Sequence, residues 1–313
     1  MMLKKTGWAI FAIVLAILVV FTLSGFDYSK HSIPLDDIND GGPGKDGIPS
    51  INNPQFLTAE EADHSLLKKS DRILGFVREG QARAYPIKIL NWHEIVNDRV
   101  GGSPIVVSFC PLCGTGMIFE AKVENRTLTF GVSGLLYQSD MLLYDHQTES
   151  LWSQIKSEAV TGAMTGARLK LLSSTHTTWG VWEKMHPDTK VLSDKTGFRR
   201  NYDRDPYQGY ESRPQLMFEV KQANKKLHPK EKIIGIELDG MTKAYPFSEL
   251  STARSPVKDV FNNIPLHIYY DSKTQTAVIK GSNNQLLPSV VGFWFAWYAF
   301  HPETKVYVAE KKK

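Results

Sequence analysis

The chain has 313 residues, 42% of them hydrophobic and 22% charged, which excludes a disordered polypeptide and suffices for one large domain or two ordinary ones. Its net charge of +4 is small, and part of it comes from Lys4, Lys5 and the terminal Lys311, Lys312 and Lys313. No concentrated basic face remains, so nucleic acid is not an expected partner.

Trp8 to Leu23 is an unbroken apolar run behind two lysines. It lacks the polar stripe of a buried core helix and has no clean small-x-small cleavage site. Residues 1–26 therefore read as a signal-anchor, a transmembrane helix that is not removed. The lysines stay inside, which predicts a single-pass protein of the cell membrane with its folded domain on the extracytoplasmic side. Residues 27–59 are dense in Gly, Pro, Asn and Asp and read as an extended linker arm, a tether rather than a packed segment.

A duplication follows. "ILGFVREGQARAYP" (Ile73 to Pro86) and "IIGIELDGMTKAYP" (Ile233 to Pro246) match in register, and "WEKMHPDTKV" (Trp182 to Val191) matches "WYAFHPETKV" (Trp297 to Val306). Two collinear pairs imply two copies of one folding unit, a first lobe over 60–215 and a second, degenerate lobe over 216–313. Each copy opens with a hairpin, a turn at Arg78-Glu79-Gly80-Gln81 and a proline that starts a helix. In the first copy the pattern predicts a helix over "PIKILNWHEIVND", a buried strand over "PIVVSF", a tight turn at "CPLCGTG" and then short strands. The expected fold class is α+β and β-rich: two lobes behind an N-terminal transmembrane helix.

The duplication separates scaffold from site. Tyr85 and Tyr245, and His186-Pro187 and His301-Pro302, occur in both copies and read as hairpin packing and a repeated turn. His93 falls on Ala253, Cys110 falls near Asp271, and Gly131 to Gln154 has no counterpart. Chemistry is therefore expected in the first copy.

Cys110 and Cys113 are the only cysteines in the chain. Cys-Pro-Leu-Cys-Gly resembles a zinc knuckle, two thiolates on a tight turn, but a second pair is missing. His93, on the inward face of the predicted helix with Ile89, Leu90, Val96 and Asn97, is the expected third ligand. Met117, His146 and Asp145 are further candidates. Two thiolates and an imidazole outside the cytoplasm suit copper before zinc, for redox chemistry or metal handling. Two alternatives stay open. One is a thiol-disulfide oxidoreductase at Cys110 and Cys113, which lacks a helix start after Cys113. The other is a ligand-binding module with a structural disulfide. The block Ser133 to Gln154 gathers Ser133, Ser139, Asp140, Tyr144, Asp145, His146, Trp152 and Gln154, polar and aromatic groups able to line a ligand pocket. "FGVSGLL" falls short of a serine-nucleophile elbow, because Leu135 stands where a glycine is required. "KQANKKLHPKEK", residues 221–232, reads as a solvated basic linker. The expected partners are the membrane and a redox or metal-donor protein.

Five segments, "GGPGKDGIPSINNP", "ARAYPIKILNWHEIVND", "FCPLCGTG", "FGVSGLLYQSDMLLYDHQTESLWSQ" and "TGFRRNYDRDPYQGY", together resemble the domain of unknown function 3179 family over roughly 40–215. The resemblance implies a secreted or membrane-attached setting and no particular reaction. It implies that His93 and Glu94, Cys110 and Cys113, and Ser133, Gly134, Ser139, Tyr144, Asp145, Trp152 and Gln154 belong to one motif set. Glu94, Ser133, Ser139, Tyr144, Trp152 and Gln154 are on that basis the expected ligand-binding residues.

Overall fold

A computed structural model describes residues 25–310. Strand makes up 40% of the residues and helix 13%, arranged as a five-bladed β-propeller. This corrects the α+β expectation. The helices are short, about two turns each, and lie between strands, such as Ile87–His93 and Trp294–Phe300. No helix among the described residues is long and apolar enough to cross a membrane. The apolar run expected as a transmembrane helix lies outside the described residues.

Both copies lay down the same elements in the same order. The hairpin Arg72–Arg78 and Gln81–Pro86 corresponds to Lys232–Leu238 and Met241–Pro246. The meander Ile95–Val100, Ser103–Cys110 and Thr115–Glu120 corresponds to Val257–Phe261, Ile264–Asp271 and Thr276–Lys280. Each hairpin sheet then gains a returning strand on both edges, Thr175–Thr178 and Lys190–Leu192 in one copy, Val290–Phe293 and Lys305–Val306 in the other. The fifth sheet belongs to the first copy alone: Phe130–Tyr137, Asp140–Asp145, Leu151–Ser153 and Glu158–Ala159, with Ile38–Asp40 on its edge.

The copies do not form two lobes. The hairpin sheet of each copy packs against the meander sheet of the other, through Thr175–Thr178 against Thr276–Lys280 and Val290–Phe293 against Thr115–Glu120. Arg72 donates to the Thr274 carbonyl across one of these seams. One apolar core runs through both copies, from Val106, Phe119 and Trp152 to Ile233, Trp294 and Trp297. Separate lobes would need separate cores, and this shared one interlocks the halves.

The expected linker arm is also packed. Ile51 is buried and bridges to Val96, Phe56–Leu57 pairs with Lys190–Leu192, and Ile38–Asp40 extends the fifth sheet. The helix predicted through Asp98 stops at His93, where Glu94 takes φ 56 and ψ −36, and Ile95–Val100 runs on as a strand. Ile95 and Val96 are β-branched, which favours the strand once the helix is broken.

The repeated residues are scaffold, as their recurrence suggested. Tyr85 donates to Asp98 at 2.6 Å and Tyr245 to Asp259 at 2.7 Å. The Trp182 ring packs at a tilt on His186 with centres 4.2 Å apart and donates to Thr189, while Trp297 packs likewise on His301 at 4.1 Å and donates to Thr304. A side chain at Gly75 would overlap the Trp182 ring, and one at Gly235 would overlap Trp297. Gly75→Ala and Gly235→Ala are each expected to destabilise the protein by about 1–3 kcal/mol through overpacking. Denaturant midpoints check this, and a wild-type midpoint in both variants would contradict it.

Candidate metal centre

The strand Ser103–Cys110 ends at Cys110, and Pro111 cannot continue the ladder. Pro111 to Gly114 close a turn back to Thr115, which pairs with Cys110. Gly114 has φ 63 and lies under the Phe293 ring, so a side chain there would be both strained and obstructed. Phe293 of the second copy donates its amide to the Cys113 carbonyl at 2.8 Å. Cys110 and Cys113 are free thiols, 1% and 0% exposed.

The third member comes from the fifth sheet. Its strands Phe130–Tyr137 and Asp140–Asp145 join through Gln138-Ser139, with φ values of 51 and 64, a two-residue turn with both residues left-handed. This turn lays Ser139 and Asp140 on the cysteines. Cys113 Sγ donates to the Ser139 carbonyl at 3.3 Å. The ligand atoms of Cys110, Cys113 and Asp140 all lie within 4.8 Å of one another.

The cluster is buried and short of partners. Asp140 Oδ2 accepts from the Ile155 amide at 3.0 Å, whereas Oδ1 has no hydrogen bond of ordinary geometry, nor has Ser139 Oγ. Burial raises the Asp140 carboxyl to about 7, against the pull of the Ile155 and Met141 amides, Cys113 and Ser153. Burial, followed by Cys110 and Asp140, pushes the Cys113 thiol well up.

Glu94 is a second buried carboxyl nearby, only 7% exposed. Its backbone conformation is sparsely populated and costs on the order of 1–3 kcal/mol. Ala253, at the end of the corresponding helix in the second copy, is extended. Burial, then the charge of Asp140, raises Glu94 to about 8. No lysine, arginine or histidine among the described residues pairs with Glu94 or Asp140.

Two cavities flank the turn. One of about 290 Å³ is lined by Phe109, Pro111, Gly114, His176 and Tyr210, and one of about 280 Å³ by Glu94, Leu112, Val132, Met141 and Phe218. Tyr207 lines both. Burial raises the Tyr207 hydroxyl, with Glu94 and Cys110 adding to it. Tyr207 and Tyr210 sit on residues 193–231, which contain no helix or strand. Lys230 fastens that segment, donating to the carbonyls of Tyr210, Arg213 and Gln215 at 2.6 to 2.8 Å with its ammonium 3.4 Å from the Tyr210 ring centre. Lys230 is therefore buried, whereas the run 221–232 was expected to be solvated.

The structure redistributes the other expected residues. His93 is not part of the cluster: Nδ1 bonds the Pro49 carbonyl and Nε2 the Tyr202 hydroxyl, both at 2.7 Å, so both ring nitrogens are taken. Met117 sits in the shared core. His146 bonds Thr129 at 2.9 Å at the surface. Asp145 accepts from the amides of Gln147 and Thr148 and from Trp152 Nε1, which shapes a turn. Ser133 donates to the Leu142 carbonyl where the strand pairing shifts register. Tyr144 donates to Asp46 at 2.6 Å. Gln154 bridges Thr115 at 2.7 Å and Ser108 at 2.9 Å, behind the cysteine turn. Of the expected set, Cys110 and Cys113 meet, and Ser139 and Glu94 lie beside them. Asp140 was missing from the expected ligands. Its signal was its place directly after a two-residue turn that joins two apolar strands.

The raised carboxyls set a pH dependence for the metal-free protein. Glu94 binds its proton more tightly folded, at about 8, than in the unfolded chain, at 4.5. The stability it contributes is full below pH 4.5 and is lost as pH rises through about 8. Glu94→Gln has no such loss. Its denaturant midpoint is expected to rise relative to wild type as pH climbs through that window, and a constant difference would contradict the burial of this carboxyl.

A family model described as "Protein of unknown function (DUF3179)" matches residues 45–286. The match reaches past the segments 40–215 that carry the resemblance and takes in most of the second copy. No curated protein and no solved structure matches the chain. With the cysteine turn, the fifth-sheet strands from Phe130 to Ala159 and both hairpins inside the matched span, the chain belongs to the DUF3179 family of proteins of unknown function.

Proposed function

We propose that Cys110, Cys113 and Asp140 together hold one transition-metal ion, zinc before copper, with a coordination position left for a small ligand. The observation that carries this is the burial of three acidic ligand atoms within 4.8 Å of one another, one of them, Asp140 Oδ1, without a partner. A buried acidic group without a countercharge is costly, and a bound cation supplies that charge to all three at once. Two thiolates alone suit copper. Replacing the expected imidazole by a carboxylate oxygen moves the preference to zinc, which accepts both sulfur and carboxylate ligands.

Three protein ligands are the pattern of a reactive or ion-handling site rather than a closed structural one. The ion would act as a Lewis acid toward a molecule in the adjoining cavities. The chain's own residues would do the rest. In the metal-free site the Ser139 carbonyl holds Cys113 by accepting a hydrogen bond from its thiol, a bond given up when the thiolate binds the ion; Ile155 orients Asp140, and Tyr207 and Glu94 present polar groups beside the site.

A dithiol oxidoreductase has one observation in its favour: Asp140 lies against Cys113 with a carboxyl near neutrality, suited to take a thiol proton. Against it, both sulfurs are buried, and Gly114 leads into a strand rather than a helix N-terminus that would stabilise a thiolate.

Elemental analysis of the full chain purified without chelator separates these. Close to one zinc or copper per chain is expected, falling at least tenfold in Cys113→Ser and Asp140→Ala and unchanged in His93→Ala. Chain free of metal would contradict the metal centre, and loss of metal in His93→Ala alone would contradict this ligand set.

A further inference from the structure

The Glu94 cavity has the makings of a site for an organic cation, apart from any ion held by the cysteines. It is about 280 Å³, large enough for a molecule of several heavy atoms. Its walls are apolar, with Ile48, Leu112, Val132, Met141 and the Phe218 ring. Glu94 and Tyr207 supply its polar groups. Glu94 as a residue is more than nine-tenths buried, and no hydrogen bond or ion pair reaches its carboxyl from any described residue. Buried polar groups are almost always paired, so a partnerless one lining a cavity points to a partner from outside the chain.

The charge of that partner follows from the surroundings. The charge that acts on Glu94 is that of Asp140, which clusters with Cys110 and Cys113. A divalent ion on two thiolates and a carboxylate would still leave that centre with net negative charge. A ligand in the cavity therefore meets the Glu94 carboxyl with the charge of Asp140 acting from outside the lining and no basic residue among the lining residues, which disfavours an anionic head and favours a cationic one. Tyr207 and Phe218 add aromatic rings to the lining, a composition that suits an ammonium.

We propose that this cavity binds a small apolar primary amine, with its ammonium on the Glu94 carboxyl and its hydrocarbon part against Leu112, Val132, Met141 and Phe218. Glu94 thereby sets specificity by charge, and the strained helix end at Glu94 serves to deliver its carboxyl into the cavity.

Calorimetric titration of the full chain with benzylamine and with its neutral near-isostere benzyl alcohol tests this, on protein as purified and after chelation. Benzylamine is expected to bind at least tenfold more tightly than the alcohol in both preparations. Glu94→Gln is expected to erase that preference, and Glu94→Asp to keep part of it. Equal affinity for the two compounds in wild type, no detectable binding of benzylamine, or an undiminished preference in Glu94→Gln would each overturn the proposal. Because the preference is read with and without metal, a chain that holds no metal contradicts the metal centre and leaves this site standing.

Discussion

Cys110, Cys113, Asp140 and Glu94 are buried together with no cationic side chain among the described residues to balance them, and the rest of the molecule is arranged around that constraint. An ionised carboxylate taken from water into a protein interior costs several kcal/mol unless something compensates it. Salt bridges were within the fold's means. Thirteen ion pairs are made among the described residues, and most are partly exposed. None of them serves this cluster. The two carboxyls hold their protons instead, up to about 7 and about 8. Such groups are poised to release protons when a cation arrives, which makes ion binding and proton release one event.

The duplication explains how so unfavourable a cluster is held. A hairpin-and-meander unit is present twice, and each hairpin sheet leans on the meander of the other copy. The strand that ends at Cys110 in the first copy ends at Asp271 in the second. The second copy has no cysteines, yet it still builds the site: Phe293 bonds and covers the turn, and Gly292 has room only for a hydrogen beside Thr115. The fifth sheet, absent from the second copy, brings Asp140 across to the cysteines. Lys230 draws the tyrosine-bearing segment over the whole. The strained Glu94 backbone and the left-handed Gln138-Ser139 turn are local costs that this framework carries.

Much of the local structure was legible in the sequence because it rests on short-range chemistry. The Gly80 and Gly240 turns, the proline-started helices, the β-branched run before Cys110 and the tight cysteine turn all follow from residue preferences over a few positions. The shared Trp-to-His-Pro segments marked scaffold, since Trp182 and Trp297 can pack only on Gly75 and Gly235. The architecture was not legible. Two copies in sequence suggest two lobes, and only the interlocking of their sheets across the seam shows otherwise. His93 read as a ligand because helical periodicity was carried through Val96. The helix ends at His93, and the imidazole is consumed by Pro49 and Tyr202. Tyr202 lies far along the chain, and no spacing rule connects the two. In sequence Asp140 is one polar residue among several in the Ser133 to Gln154 block, and alternation within a strand does not tell which end meets another sheet.

The central claim is the ligand set, and X-ray absorption at the metal edge of the loaded full chain tests it most directly. The account predicts two sulfur neighbours at about 2.3 Å and oxygen neighbours at about 2.0–2.2 Å, without the outer-shell scattering of an imidazole. A spectrum with histidine scattering, or one with no sulfur in the first coordination shell, would contradict it.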